Sequence, residues 1–314
     1  MNIMDVTLRE SVYYGKGLSN ADALEYLKML KQNIPSRWVQ FVEIGYINND
    51  KIVPLNYDEE YLNQAIDICE GTYRVSAMMH VPKADISKWN PDVIRRLYLV
   101  RVVVGQHVPD ELKSYVDYFH ELGVKISVNL TYVAGLSNDA IISEMNRAKE
   151  MGVDYFFCAD SSGSFSPTST IRISKILTEN CGRMISGVHL HDHMQMAMAN
   201  ALTAQRCGIE MTDVSVTGAG KGGGNLKMEQ GLLLLYGKEA VTYDLLMGLK
   251  NMIVYFATLI GRDCRFYVQA MVDFLTGLYR LSLKATDTLE KESAMNPEKY
   301  FRMVVDNYTP FDAE

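Results

Sequence analysis

No apolar run in this 314-residue chain approaches the roughly 18 residues needed to cross a bilayer, so a spanning helix is not expected. Runs of lysine and arginine are absent too, and the formal net charge is −7. That balance argues against nucleic acid or an anionic membrane surface as the main partner. Cysteine is scarce: Cys69, Cys158, Cys181, Cys207 and Cys264 lie far apart, with no C-x-x-C pair. An odd, scattered set in apolar surroundings excludes a disulfide framework and reads as reduced core thiols of a cytoplasmic protein. A strand-like segment begins within three residues of Met1, so no signal peptide is expected. Internal repeats and low-complexity segments are also missing.

What is present is ample core material, with 48% hydrophobic and 22% charged residues. Short β-rich runs are expected at Ile3–Leu8, Val39–Ile44, Arg74–Met79, Tyr98–Val104, Lys125–Leu130, Asp154–Ala159, Met184–Leu190 and Met211–Val216. Helical patterns fall between them near Asn20–Gln32, Glu59–Cys69, Pro91–Arg96, Pro109–Leu122, Asn138–Met151, Ser169–Asn180 and Met194–Cys207, and another begins near Leu226. Strands alternating with helices imply a parallel sheet, because parallel neighbours need long crossovers. Eight such units fit a closed (β/α)8 TIM barrel over residues 1–240, with an open doubly wound sheet as the alternative. Residues 241–314 read as a helical appendage packed on the barrel or on a second subunit, and a homo-oligomer through those helices is the expectation.

Chemistry in such barrels sits at the C-terminal ends of the strands. In Val188-His189-Leu190-His191 a strand would turn both imidazoles to one face, which makes half of a divalent-metal site. Strand one is expected to point Asp5, Thr7 and Arg9 into the barrel and Met4, Val6 and Leu8 toward the helices. A buried Asp–Arg pair that merely holds the barrel is the bland reading of that pattern. Glu43 and Asp160 take the inward phase on strands two and six. A carboxylate from strand one and two imidazoles from strand seven form a mixed N/O set suited to Mn²⁺ or Mg²⁺, with Co²⁺ or Zn²⁺ as alternatives. The G-x-G-x-x-G at Gly218, Gly220 and Gly223 follows the last strand, the wrong place for a dinucleotide site. A loop carrying Lys221 and Asn225 over the site suits it better.

Thr7-Leu8-Arg9-Glu10, His189-Leu190-His191-Asp192 with Ala197 and Asn200, and a glycine loop ending in Asn225 together resemble the metal-dependent aldolase/lyase/synthase barrels. That group includes 4-hydroxy-2-oxovalerate aldolase, 3-hydroxy-3-methylglutaryl-CoA lyase and the isopropylmalate and homocitrate synthases. The resemblance spans roughly residues 1–235. It implies a metal held by Glu10, His189 and His191, with Asn225 joining as in the lyases and Glu43 bracing Arg9. Departures are equally plain. Glu10 stands where the family usually has aspartate, Tyr13 where a residue touches the oxo acid or moves the proton, and His193 and Gln195 replace commoner residues.

The reaction expected is carbon–carbon cleavage of a small-molecule 2-oxo acid through a metal-stabilised enolate. Arg9 would share the developing charge and Tyr13 or His193 would move the proton. An acetyl-CoA-dependent Claisen synthase is a second reading, and a lapsed barrel acting as a binding protein is a third. A Schiff-base aldolase would need a lysine inside the barrel, and strand six has none.

Overall fold

Parallel strands can be joined only by a crossover of helical length, and the alternating periodicities of this chain supply one after each strand. The computed structural model describes residues 1–14, 18–48, 58–81, 83–279 and 297–306. Its strands are β1 (Asn2–Asp5), β2 (Phe41–Tyr46), β3 (Arg74–His80), β4 (Leu99–Val104), β5 (Lys125–Leu130), β6 (Tyr155–Asp160), β7 (Ile185–Leu190) and β8 (Met211–Val214). They pair in parallel in sequence order, and β1 returns to β8 with Met4 opposite Asp213, which closes the barrel. The helices between them are α1 (Thr7–Glu10), α2 (Asn20–Asn33), α3 (Glu59–Cys69), α4 (Pro91–Ile94), α5 (Leu112–Glu121), α6 (Asn138–Met151), α7 (Pro167–Asn180), α8 (Ala197–Arg206) and α9 (Met228–Leu235). The fold is a (β/α)8 barrel.

The lower lumen is filled by Met4, Val6, Phe41, Leu99, Tyr155, Phe157 and Met211, which form a cluster separate from the sheet–helix core. Alternate strand residues such as Ile3, Val42, Val100, Phe156 and Val188 belong to the larger core under the helices. Gly187 on β7 matters here, because a Cβ at that position would fall 2.4 Å from the Phe157 ring.

Two expectations of strand phase are corrected. β1 stops at Asp5, where Oδ1 accepts the Thr7 N–H at 2.9 Å and starts a helical turn. Asp5 stands on the helix side, its Oδ2 accepting the Tyr26 hydroxyl of α2 at 2.7 Å, so Met4 and Val6 take the lumen. On β6, Tyr155 and Phe157 face inward, which turns Asp160 outward. There it accepts the Ser164 and Phe165 N–H groups, each at 2.9 Å. The start of α8 also differs. Asp192 caps the Ala197 N–H at 2.9 Å after a left-handed Gln195, so the helix begins three residues later than expected.

C-terminal helices α10 (Tyr243–Leu259), α11 (Cys264–Leu278) and α12 (Glu298–Asp306) follow the barrel. Part of the expected appendage, residues 280–296 and 307–314, lies outside the described residues. Helix α10 is apolar on most faces and packs against α2. Gly248 allows the close approach, since a Cβ there would meet the Asn33 carbonyl oxygen at 2.2 Å. Phe256 of α10 sets its ring edge-on against both Tyr26 and Tyr14. Tyr300 of α12 ties back to α11 through the Val272 carbonyl at 3.1 Å.

The glycine loop after β8 is anchored from below by Glu229, a fully buried carboxyl on α9 that accepts the Thr217 N–H at 3.1 Å. Burial pushes this carboxyl up to about 7. A carboxyl raised in the folded state adds stability below its unfolded value near 4.5, and that stability is lost as pH rises through about 7.

Two outcomes follow for stability. Gly187→Ala should destabilise the barrel by about 1–3 kcal/mol in urea unfolding, because the ring of Phe157 has no room to retreat. Glu229→Gln keeps the acceptor and removes the titration. Its stability relative to wild type should therefore rise by roughly 2 kcal/mol between pH 5 and pH 8.

Candidate active site

The short helix α1 swings Arg9 and Glu10 over the C-terminal mouth, where a straight strand would have carried them past it. Arg9 donates from Nε to Glu43 Oε2 at 2.6 Å and pairs through Nη1 with Glu10 Oε1. Burial opposes the charge on Arg9, but Glu10 and Glu43 outweigh it and hold the guanidinium firmly protonated. Glu43 also accepts Arg101 Nη1 at 3.3 Å, and Arg101 Nη2 donates to Asp213 Oδ2 at 2.8 Å. Asp213 in turn meets His189 Nδ1 at 2.8 Å. Six side chains from five elements, α1, β2, β4, β7 and β8, thus form one chain across the lumen.

Burial alone would raise the Asp213 carboxyl, but Arg101 and the His189 hydrogen bond hold it at about 2. It is an acceptor only, so the His189 Nδ1 carries the proton. The open Nε2 lies 4.0 Å from Glu10 Oε1. His191 follows with its ring centroid 5.0 Å away and nearly perpendicular. Burial, then His189 and Arg9, depresses its pKa to about 3 and keeps it neutral. His193 comes next, 5.7 Å from His191.

Glycines shape the slot around His193. A Cβ on Gly163 would fall 2.6 Å from its Nδ1, one on Gly222 2.2 Å from its Nε2, and one on Gly223 2.6 Å from its Cα. A Cβ on Gly220 would likewise fall 2.6 Å from the Asn225 side chain. Close packing, rather than phosphate binding, accounts for this glycine run. Among the described residues, three non-glycine residues adopt left-handed backbone, Tyr132, Gln195 and Thr217, and all three lie in the loops that follow β5, β7 and β8. Clustered strain of this kind is a mark of functional loops.

A cavity of about 310 Å³ opens at this mouth. Of the expected site residues, Arg9, Glu10, Tyr13, His189, His191 and His193 line it, together with Lys221. Glu43 lies behind Arg9, fully buried. Asn225 bridges His191 through the backbone, and its Nδ2 donates to the Ala219 carbonyl at 3.0 Å. Tyr13 is 46% exposed, and partial burial followed by Glu10 raises its phenol, so it stays an O–H donor. Sequence reasoning missed Arg101 and Asp213. The available signal was their strand phase, since Arg101 shares the phase of the inward Leu99 and Asp213 that of the inward Met211.

Among the described residues, no three His, Cys, Asp or Glu side chains stand ready around one metal position as they lie. The guanidinium of Arg9 rests on one Glu10 oxygen instead. The donor chemistry still fits a divalent ion. Glu10 Oε2, His191 Nδ1 and Asn225 Oδ1 are buried with no hydrogen-bond partner, a costly state for a polar atom. His189 offers Nε2 while a carboxylate fixes its other nitrogen, the usual support for a metal-binding imidazole.

A family model described as HMGL-like matches residues 103–249. A 4-hydroxy-2-oxovalerate aldolase of Ralstonia pickettii is 22% identical over 236 residues, covering 73% of this chain and 67% of the relative. The oxaloacetate decarboxylase of Mycobacterium tuberculosis is 25% identical, over 55% of this chain and half of that protein. Among solved structures, the N-terminal domain of a Bacteroides vulgatus protein described as an aldolase superposes with a TM-score of 0.71 at 21% identity, covering 92% of this chain and 100% of that one. The HMG-CoA lyase of Bacillus subtilis gives 0.64 at 17% identity, over 83% and 94%. The structures speak to the fold, and the sequence matches speak to descent. The family match spans just under half of the chain, and over that stretch and beyond it the chain is similar to aldolases and lyases built on this barrel.

Proposed function

We propose that this protein is a divalent-metal-dependent carbon–carbon lyase of the aldolase type, acting on a small 2-oxo acid. One observation carries the reading. A cation, a carboxylate and three imidazoles converge on a single cavity at the barrel mouth, and two of the donor atoms are buried without partners. Glu10, His189 and His191 would hold the ion, with Asn225 beside them. Mn²⁺ or Mg²⁺ suits the mixed set first, and Co²⁺ or Zn²⁺ second. When bound, such an ion supplies Lewis-acid polarisation of the substrate's oxo and carboxylate oxygens.

The chain's own residues supply the rest. Arg9 is held charged by Glu10 and Glu43 and faces the position where negative charge develops on the oxo oxygen. His193 takes the proton from the 4-hydroxyl as the C3–C4 bond breaks, which releases an aldehyde and the enolate of the shorter 2-oxo acid. Tyr13 retains its phenolic proton and can deliver it to C3, to be reprotonated from solvent. Lys221 lines the rim of the same cavity, where its charge attracts an anionic substrate.

Metal analysis of the purified protein and of a His189→Ala/His191→Ala variant tests the metal assignment. About one ion per chain is expected in the first and near none in the second, and equal contents would overturn it. Metal-loaded protein is then screened for pyruvate release from 4-hydroxy-2-oxo acids. Metal binding with no turnover across that series would favour a binding protein instead. His193→Ala should lower kcat about 10²- to 10⁴-fold while leaving the metal content unchanged.

A further inference from the structure

The lumen holds a guanidinium that lies below the cavity and does not line it. Arg101 of β4 is 0% exposed, and its Nη1 and Nη2 join Glu43 of β2 and Asp213 of β8, the two strands that flank β1. Nη1 also lies 3.1 Å from the Met4 sulfur, and the guanidinium carbon sits 4.4 Å above the Phe157 ring. Nε has no partner among the described residues, so the two carboxylates and that ring fix the side chain. Each carboxylate has one further charged or ring partner. Glu43 holds Arg9, and Asp213 holds His189.

We propose that Arg101 is a positioning residue that sets two working groups at once, the orientation of Arg9 through Glu43 and the Nδ1–H tautomer of His189 through Asp213. A planar guanidinium suits this task because its two terminal nitrogens diverge in fixed directions and can bridge two acids. An ammonium is a compact point charge and cannot keep both contacts in the same geometry. Without Arg101, Asp213 loses the partner that fixes its carboxylate plane, and the His189 ring is free to turn. The inference takes Arg9 and His189 as working groups, as the proposed function does, but its primary readout needs neither metal nor substrate.

The test uses full-length apo-protein with ¹⁵N-labelled histidine, as wild type, Arg101→Met and Arg101→Lys. In wild type, the ring-nitrogen shifts of His189, assigned with His189→Gln, should report a single Nδ1–H tautomer. Arg101→Met should give mixed tautomers, and titration with MnCl₂ should show at least a tenfold weaker affinity, the usual cost of removing an outer-shell partner. Arg101→Lys should recover part of both losses. A wild-type tautomer in Arg101→Met would overturn the proposal. Should that variant fail to fold, Arg101→Lys decides alone. Mixed tautomers or weakened manganese binding support the assignment, and wild-type behaviour in both overturns it. Wild-type protein that binds no manganese would sink the proposed function, while the tautomer comparison still decides the role of Arg101.

Discussion

A guanidinium at the centre of a closed barrel has no water to solvate it, and removing such an ion from water costs several kcal/mol even after relaxation. Arg101 survives there because two carboxylates meet its terminal nitrogens and an aromatic ring lies beneath it. Everything at the mouth hangs from that arrangement. Glu43 gives one oxygen to Arg101 and the other to Arg9, while Asp213 takes both Arg101 and His189 on Oδ2. Counting the chain from Glu10 to Asp213, three carboxyl groups face two guanidiniums, so the lumen favours an added cation at its open end.

Below this charged layer the barrel is apolar, and the two layers are fitted to each other. Gly187 leaves room for the Phe157 ring, and that ring forms the platform on which Arg101 rests. The division of the lumen explains why the polar residues gather at one end of the strands. An apolar plug of Met4, Phe41, Leu99, Phe157 and Met211 closes the other end to water. The electrostatic contacts above it therefore act in a medium where they are stronger than in solvent.

Much of this was legible in the sequence. Alternating strand and helix periods announced the barrel, and His189, His191, Glu43 and the glycine loop fell at the correct end of their strands. The phase of β1 was not legible. The Asp5 side chain competes for the Thr7 N–H and ends the strand, and a pattern of alternation cannot register that local bond. Asp160 failed for a related reason, since its carboxylate is used to cap two N–H groups of the following turn. Arg101 escaped notice because it looks like one polar residue in an apolar run, and Asp213 because it is one of two polar residues on a short strand. Their meaning comes from partners more than fifty positions away in the chain.

Phe256 touches Tyr14 and Tyr26 with one ring, and these two tyrosines lead to different parts of the mouth. Tyr14 accepts the Gly220 N–H of the glycine loop, while Tyr26 holds Asp5 at the root of the turn that carries Arg9 and Glu10. The helices after the barrel are thus part of the wall behind the first and last strands, the seam where the barrel closes. A barrel cut free of α10 would keep all of its candidate chemical groups and lose the clamp that holds its two ends in register.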